Sequence, residues 1–253
     1  MPSSAPAPAP RRAMVLAAGL GLRMRAARAD LPKPLVPVRG RALIDHALDR
    51  LAEAGVAEAA VNLHHMGEKI RDALAGRAAP RLTFLAEPTL LETGGGVANA
   101  LPGLGPDPFY VVNSDALWLN GPSDALHRLA RAWDDGRMDA LLLLSPVWAA
   151  IAYDGRGDFF MDQEGVLRRR REWEVAPFLF AGVQILHPRL FDGAPAGAFS
   201  LNRLYDRAIE AGRLYGIAHD GRWFHVGTPD GLALAEAALA DAAREAGREA
   251  LEL

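Results

Sequence analysis

Residues 14–37 restrict the folds open to this chain more than any other stretch. Met14 to Ala18 is an apolar run of strand length. Gly19 and Gly21 follow directly. Glycine there opens backbone conformations closed to other residues and lets a ligand reach main-chain N–H groups. Arg23 and Arg25 add cations, and Lys33 stands between Pro32 and Pro34, which stiffen the chain on both sides. A strand running into a glycine turn, followed by a rigidly mounted lysine, has the parts of a polyphosphate grip. Two better-known phosphate loops do not fit. No third glycine stands at the dinucleotide spacing, and no Gly-Lys-Ser/Thr follows.

Composition narrows the classes further. A net charge of −3 gives the chain as a whole no nucleic-acid signature. The absence of cysteine excludes disulfides and thiolate metal sites and is compatible with a cytoplasmic location. Residues 2–10 contain only Pro, Ser and Ala, so residues 1–12 read as a disordered or extended tail without the apolar core of a secretion signal. The longest apolar run, Ala140 to Ala152, is interrupted by Ser145 and Pro146 and is too short for a bilayer, which points to a soluble protein with no membrane partner. Lys33 and Lys69 are the only lysines among 28 basic residues. A chain that otherwise writes arginine keeps a compact ammonium in the Pro-Lys-Pro corner.

Periodicity orders the first half. Ala42 to Ala54 carries apolar residues at helical spacing, Val56 to Leu63 reads as a strand, Gly67 to Ala75 as a short helix and Arg81 to Ala86 as a third strand. That alternation predicts a parallel sheet with right-handed crossovers. Ligands bind at the carboxyl ends of such strands, where the glycine turn lies. His64 and His65 are adjacent on a strand end, point to opposite faces and do not ligate one metal together. Gly94, Gly95 and Gly96 precede a helix expected over Val97 to Leu101 and would offer bare backbone to a flat ligand. Phe109 to Val112 is a buried-strand run closed by Asn113-Ser114-Asp115. An aspartate at such a strand end either holds Mg²⁺ against a triphosphate or caps the following turn. Helices over Asp124 to Trp133, Leu201 to Ala211 and Asp230 to Ala246 follow, as do strands over Asp139 to Leu144, Phe178 to Leu186, Leu214 to His219 and Arg222 to Val226.

The joint pattern Ala17-Ala18-Gly19-x-Gly21-x-Arg23-Met24, then Leu31-Pro32-Lys33-Pro34-Leu35-x-Pro37, resembles the signature of the sugar-1-phosphate nucleotidyltransferases. The resemblance covers about residues 13–240. It implies a Rossmann-like, mostly parallel α/β sheet flanked by helices, with an inserted sugar-binding β-sheet. One domain over 13–247 would comprise a nucleotide-binding half to about residue 145 and a sugar-phosphate half after it. The implied nucleotide site uses Ala17, Ala18, Gly19, Gly21, Glu87, Gly94, Gly95 and Asn113, with Glu87 facing the base. The implied catalytic groups are Lys33 on the phosphates, Arg23 on the pyrophosphate side and Asp115 on Mg²⁺. Leu91-Glu92-Thr93 and Gly155-Arg156-Gly157-Asp158-Phe159 look like the uridylyltransferases acting on N-acetylmuramate 1-phosphate, enzymes of cell-wall sugar recycling. Asp158, Gly182 and Thr228 fall in the implied sugar half.

One departure stands out. Where the family shows Trp-x-Asp-x-Gly-Thr-Pro, this chain has Trp223-Phe224-His225-Val226-Gly227-Thr228-Pro229. The aspartate would supply a second Mg²⁺ carboxylate; imidazole suits Mn²⁺ or another divalent ion better. His225 therefore either ligates a metal, leaves Mg²⁺ to Asp115, water and phosphates, or reduces activity. The expected reaction joins a nucleoside triphosphate, UTP foremost, to a sugar 1-phosphate with release of pyrophosphate. The alternatives are guanylyl transfer to a mannose- or heptose-type 1-phosphate and a nucleotide-binding homologue with impaired catalysis. Oligomeric state stays open between a monomer and a small homo-oligomer.

Overall fold

The computed structural model describes residues 9–21 and 30–249, with side chains through residue 244. Arg23 and Arg25 lie outside the described residues. The apolar run before the glycine turn forms β1 (Arg12–Leu16), two residues earlier than its hydropathy suggests, so Ala17 and Ala18 belong to the loop. Lys33–Leu35 makes one 3₁₀ turn started by the fixed φ of the flanking prolines. A short hairpin, β2 (Pro37–Val38) and β3 (Arg41–Ala42), leads into α1 (Leu43–Glu53), which buries Leu43, Ile44, Ala47, Leu48 and Leu51 along one face. Then come β4 (Glu58–Leu63), α2 (Gly67–Leu74), β5 (Arg81–Ala86), α3 (Glu92–Leu104) and β6 (Phe109–Asn113).

The glycine triplet corrects the expectation of bare backbone. Gly94, Gly95 and Gly96 are buried inside the first turns of α3. A Cβ on Gly94 would lie 2.3 Å from the Phe199 ring, and one on Gly95 would lie 2.3 Å from the Gly197 carbonyl oxygen. The triplet therefore lets α3 press against the 197–199 segment. Tertiary fit outweighs the low helix propensity of glycine here.

The second half continues through β7 (Leu117–Leu119), α4 (Ala125–Ala132), β8 (Ala140–Pro146), β9 (Ala150–Ile151), β10 (Phe159–Met161), β11 (Leu167–Arg169), β12 (Phe178–Leu186), α5 (Asn202–Glu210), β13 (Leu214–Ala218), β14 (Arg222–Phe224) and α6 (Pro229–Glu249). The central sheet runs β11-β10-β12-β6-β1-β4-β5, with β8 joined to β12 and β13 to β8. Its centre is parallel: β1 pairs in parallel with both β4 and β6, and β4 with β5. The strands β10, β11 and β12 extend this sheet antiparallel and do not form an inserted sheet of their own. A separate three-stranded sheet, β7-β14-β9, is covered by the start of α6 through Val36, Val38, Leu43, Phe224 and Ala235.

Gly182 shows why a glycine interrupts β12. The register shifts between Phe180 and Gln184, and Gly182 sits in the shift with φ +80°. A Cβ there would lie 3.1 Å from Asn113 Nδ2 and 3.2 Å from Ala116 Cβ. The bulge thus lets β12 pass closely under the turn that carries Asp115.

Candidate active site

Parallel strands leave their carbonyl ends along one edge, and the loops after β1 and β6 form a cleft there. The cleft has a volume of about 660 Å³ and is lined by 16–21, Lys33, Asn113 to Asp115, Leu90, Glu92 and Thr93, among others. That is within the usual size of a small-molecule site. The Leu16 carbonyl accepts from Ser114 N at 3.0 Å, which ties the two strand ends together. Gly21 has φ +59°, and a Cβ on it would lie 3.1 Å from Lys33 Cβ. The glycine turn therefore folds directly onto the lysine. Lys33 Nζ in turn pairs with Asp115 Oδ2, with side-chain exposures of 16% and 32%. The structure thus brings Ala17, Ala18, Gly19, Gly21, Lys33, Asn113 and Asp115 to one place from three separate segments.

Glu87 is placed differently from the expectation. It is buried, and it does not line the cleft. Its Oε1 accepts from Asn62 Nδ2 at 2.7 Å and its Oε2 from Leu91 N at 3.0 Å. Asn62 Oδ1 accepts from Ala17 N at 2.8 Å. Glu87 therefore braces the loop after β1 through Asn62, and these hydrogen bonds offset the cost of burying its carboxylate. Gly94 N and Gly95 N both donate to the Phe199 carbonyl, at 2.8 and 3.1 Å, so the start of α3 is satisfied within the protein. Neither glycine lines the cleft.

The implied sugar residues also have local duties. Asp158 Oδ2 accepts from Phe180 N at 2.8 Å and holds β10 to β12. Thr228 Oγ1 accepts from Gly231 N at 3.1 Å and caps α6. Gly182 packs under the Asp115 turn. Tyr153 OH accepts from Gly157 N at 3.1 Å, and burial pushes its phenol pKa up, so it remains a neutral hydroxyl. The His225 ring stands edge-on to Tyr153 at 6.2 Å and tilted to Trp223 at 6.1 Å. Its Nε2 lies 2.6 Å from where a Cβ on Gly227 would be, and Gly227 lines the cleft. His225 thus forms part of the wall behind Gly227.

Among the described residues, no group of three or more His, Asp or Glu side chains could hold a metal ion. The donor set at Asp115 is one carboxylate beside open cleft. This suits Mg²⁺, which keeps several waters and is bound by one or two carboxylates plus substrate phosphates. It does not suit an ion that needs a full protein cage. No helix among the described residues is long and apolar enough to cross a membrane.

Sequence reasoning missed Asn62 and Glu92 as site groups. Asn62 carried a readable signal, a polar residue near the carboxyl end of an otherwise apolar strand. Glu92 was legible only as part of the Leu91-Glu92-Thr93 motif, and its conformation is visible only in three dimensions. It has φ +58°, a left-handed conformation that costs a non-glycine residue roughly 1–2 kcal/mol.

Residues 13–174 match the MobA-like NTP transferase domain. The chain is 43% identical over 235 residues to the N-acetylmuramate alpha-1-phosphate uridylyltransferase of Caulobacter vibrioides, covering 91% of this chain and 97% of the relative. It is 35% identical to the enzyme of the same name from Neisseria meningitidis serogroup B, covering 86% and 93%. Among solved structures, HddC from Yersinia pseudotuberculosis complexed with GMP-PN superposes with a TM-score of 0.73 at 20% identity over 90% of this chain and 99% of that one. A UDP-glucose pyrophosphorylase complexed with UDP-glucose gives 0.73 at 16% over 91% and 98%. These two likenesses speak for the fold. With the glycine turn, Lys33 and Asp115 gathered at the strand ends, the chain belongs to the MobA-like NTP transferase family, as an enzyme of the sugar-1-phosphate nucleotidyltransferase class.

Proposed function

We propose that this protein transfers the uridylyl group of UTP to N-acetylmuramate 1-phosphate. The observation that carries the reading is 43% identity along almost the whole length of a relative with that activity in its name. A phosphate oxygen of the sugar 1-phosphate attacks the α-phosphorus, the bond from that phosphorus to the bridging oxygen breaks, and pyrophosphate leaves. The attacking group is already an anion, so no general base is required. The barrier lies in bringing two polyanions together in line, which fixed cations and positioning relieve.

Main-chain N–H groups around Gly19 and Gly21 line the triphosphate in this reading, and Lys33 meets its charge. Arg23, outside the described residues, serves the pyrophosphate side. Asp115 and Asn113 stand on the other bank. Asp115 would hold Mg²⁺, which when bound neutralises triphosphate charge and polarises the phosphoryl oxygen. Residues to about 145 serve the nucleotide and later residues the sugar phosphate. Dependence on a nucleoside triphosphate supports a cytoplasmic site of action, and a wall sugar as acceptor supports a role in peptidoglycan recycling.

The test is a matrix of UTP, GTP, dTTP and CTP against N-acetylmuramate, N-acetylglucosamine and mannose 1-phosphates, read by pyrophosphate release. The highest kcat/KM is expected for UTP with N-acetylmuramate 1-phosphate. Faster turnover of GTP with a mannose- or heptose-type 1-phosphate would replace this reading. Tight nucleotide binding without turnover under Mg²⁺, Mn²⁺ or Co²⁺ would make the protein a catalytically impaired homologue.

A further inference from the structure

We infer that Lys69 is a positioning residue for Lys33: from α2 it fastens the backbone leading into the Pro32-Lys33-Pro34 corner and so holds the Lys33 ammonium in the cleft before a nucleotide arrives. The inference rests on the reading of Lys33 as a phosphate contact.

The two lysines of the chain meet on one short segment. Lys33 lies in it, and Lys69 Nζ donates to the carbonyl of Asp30, three residues upstream of Lys33, at 2.7 Å. Inside the segment there is little freedom. Pro32 and Pro34 fix φ on either side of Lys33. The Pro32 carbonyl accepts from Leu35 N at 2.9 Å and the Lys33 carbonyl from Val36 N at 3.1 Å. The place of Lys33 is therefore set where the segment is tied to its surroundings. Downstream, Leu43 N at the start of α1 donates to the Val36 carbonyl at 3.1 Å. Upstream, the tie is Lys69. A rigid corner passes any shift of its upstream end on to Lys33. The glycine turn leaves no slack to absorb that shift, since Lys33 Cβ already lies 3.1 Å from where a Cβ on Gly21 would be.

Lys69 does little for its own helix. It stands in the first turn of α2, where the helix dipole disfavours a cation. Its neighbours Glu68 and Arg71 pair with each other at 3.0 Å. No carboxylate among the described residues pairs with Lys69. Its ammonium is exposed and spends itself on one main-chain carbonyl, a charge-assisted hydrogen bond stronger than a neutral one. A cation held in place in advance needs no reorganisation when the triphosphate binds, and that is the gain Lys69 supplies through Lys33.

The experiment is a double-mutant cycle on wild type, Lys69→Met, Lys33→Ala and the variant carrying both, with Lys69→Arg beside them. Calorimetry reads UTP binding without sugar phosphate, and pyrophosphate release reads kcat/KM. Methionine keeps the length of the side chain and removes the charge. Lys69→Met should weaken UTP binding roughly three- to tenfold, the worth of one such hydrogen bond, at an unchanged unfolding temperature. Lys69→Arg keeps a charged donor and should recover most of the loss. In the Lys33→Ala background Lys69→Met should have no further effect, because nothing is left to position. An unchanged UTP affinity in Lys69→Met overturns the inference, as does the same fold loss with and without Lys33; either result leaves the role of Lys33 standing. A Lys33→Ala protein that binds UTP and turns over like wild type removes the Lys33 reading, and this inference with it. Tighter binding of GTP than of UTP overturns the uridylyl reading alone, and the same cycle with GTP then decides on Lys69.

Discussion

At the scale of single residues, Lys33 and Asp115 have to be separated, because each is the other's partner. A part-exposed ion pair of this kind contributes little to folding. Lys33→Ala should therefore leave the unfolding temperature nearly unchanged. Its kcat/KM should nevertheless fall about 10²–10³-fold, by analogy with a lost oxyanion donor. Full turnover in that protein would remove Lys33 from the proposed chemistry. Asp115→Asn has a different signature. If Asp115 holds the divalent ion, the Mg²⁺ concentration for half-maximal turnover should rise in Asp115→Asn and stay close to wild type in Lys33→Ala. A Mg²⁺ titration of both variants measures this. Equal curves would mean that Asp115 acts only through the lysine.

At the scale of elements, two predictions concern how α3 and the β13–β14 hairpin are held. Gly94→Ala puts a methyl group 2.3 Å from the Phe199 ring and 2.8 Å from its carbonyl oxygen. Overpacking of this sort typically costs about 1–3 kcal/mol, or roughly 2–12 °C in a chain of this size. Melting should show that loss, while the affinity for UMP in the protein that remains folded should change little. The reverse outcome, normal melting with lost affinity, would return the glycine to the ligand. His219 is buried between the elements, and its Nε2 donates to the Leu119 carbonyl at 3.0 Å. Burial lowers its pKa below the usual 6.5; the hydrogen-bonded carbonyls and Asp220 oppose that shift, and Arg128 reinforces it. His187 shifts the same way, from burial and then Arg189. As pH falls through about 6.5, the unfolded chain takes up protons that the folded one refuses, so stability falls with pH in that window. The melting temperature should drop between pH 7.5 and 5.5, and His219→Gln should flatten that slope. An unaltered slope would assign the pH dependence elsewhere.

At the scale of the whole molecule, what the sequence made legible follows from the range of the forces involved. Alternating apolar runs and glycine stops are local, so the parallel centre and the helices that cross it could be read residue by residue. The glycine turn against Lys33 was legible because Gly19, Gly21 and Lys33 lie close together in sequence. The burial of Glu87 against Asn62 and the packing of Gly94 against Phe199 join segments about 25 and 105 residues apart, and no local pattern encodes them. The joining of β10, β11 and β12 to the central sheet was hidden for the same reason. That junction has a thermodynamic consequence. Along its length β12, from the proposed sugar half, pairs with both β6 and β8, from the proposed nucleotide half. Neither half keeps a complete sheet if the other unfolds, so residues 13–247 should melt as one cooperative unit. Calorimetric and van't Hoff enthalpies should then agree, and two resolved transitions would divide the chain into separate domains. A nucleotide that binds only the folded form at about 100 times its Kd should raise the single transition by roughly 5–10 °C without splitting it. If UTP shifted only part of the heat absorption, the cleft would belong to a unit that folds without β12.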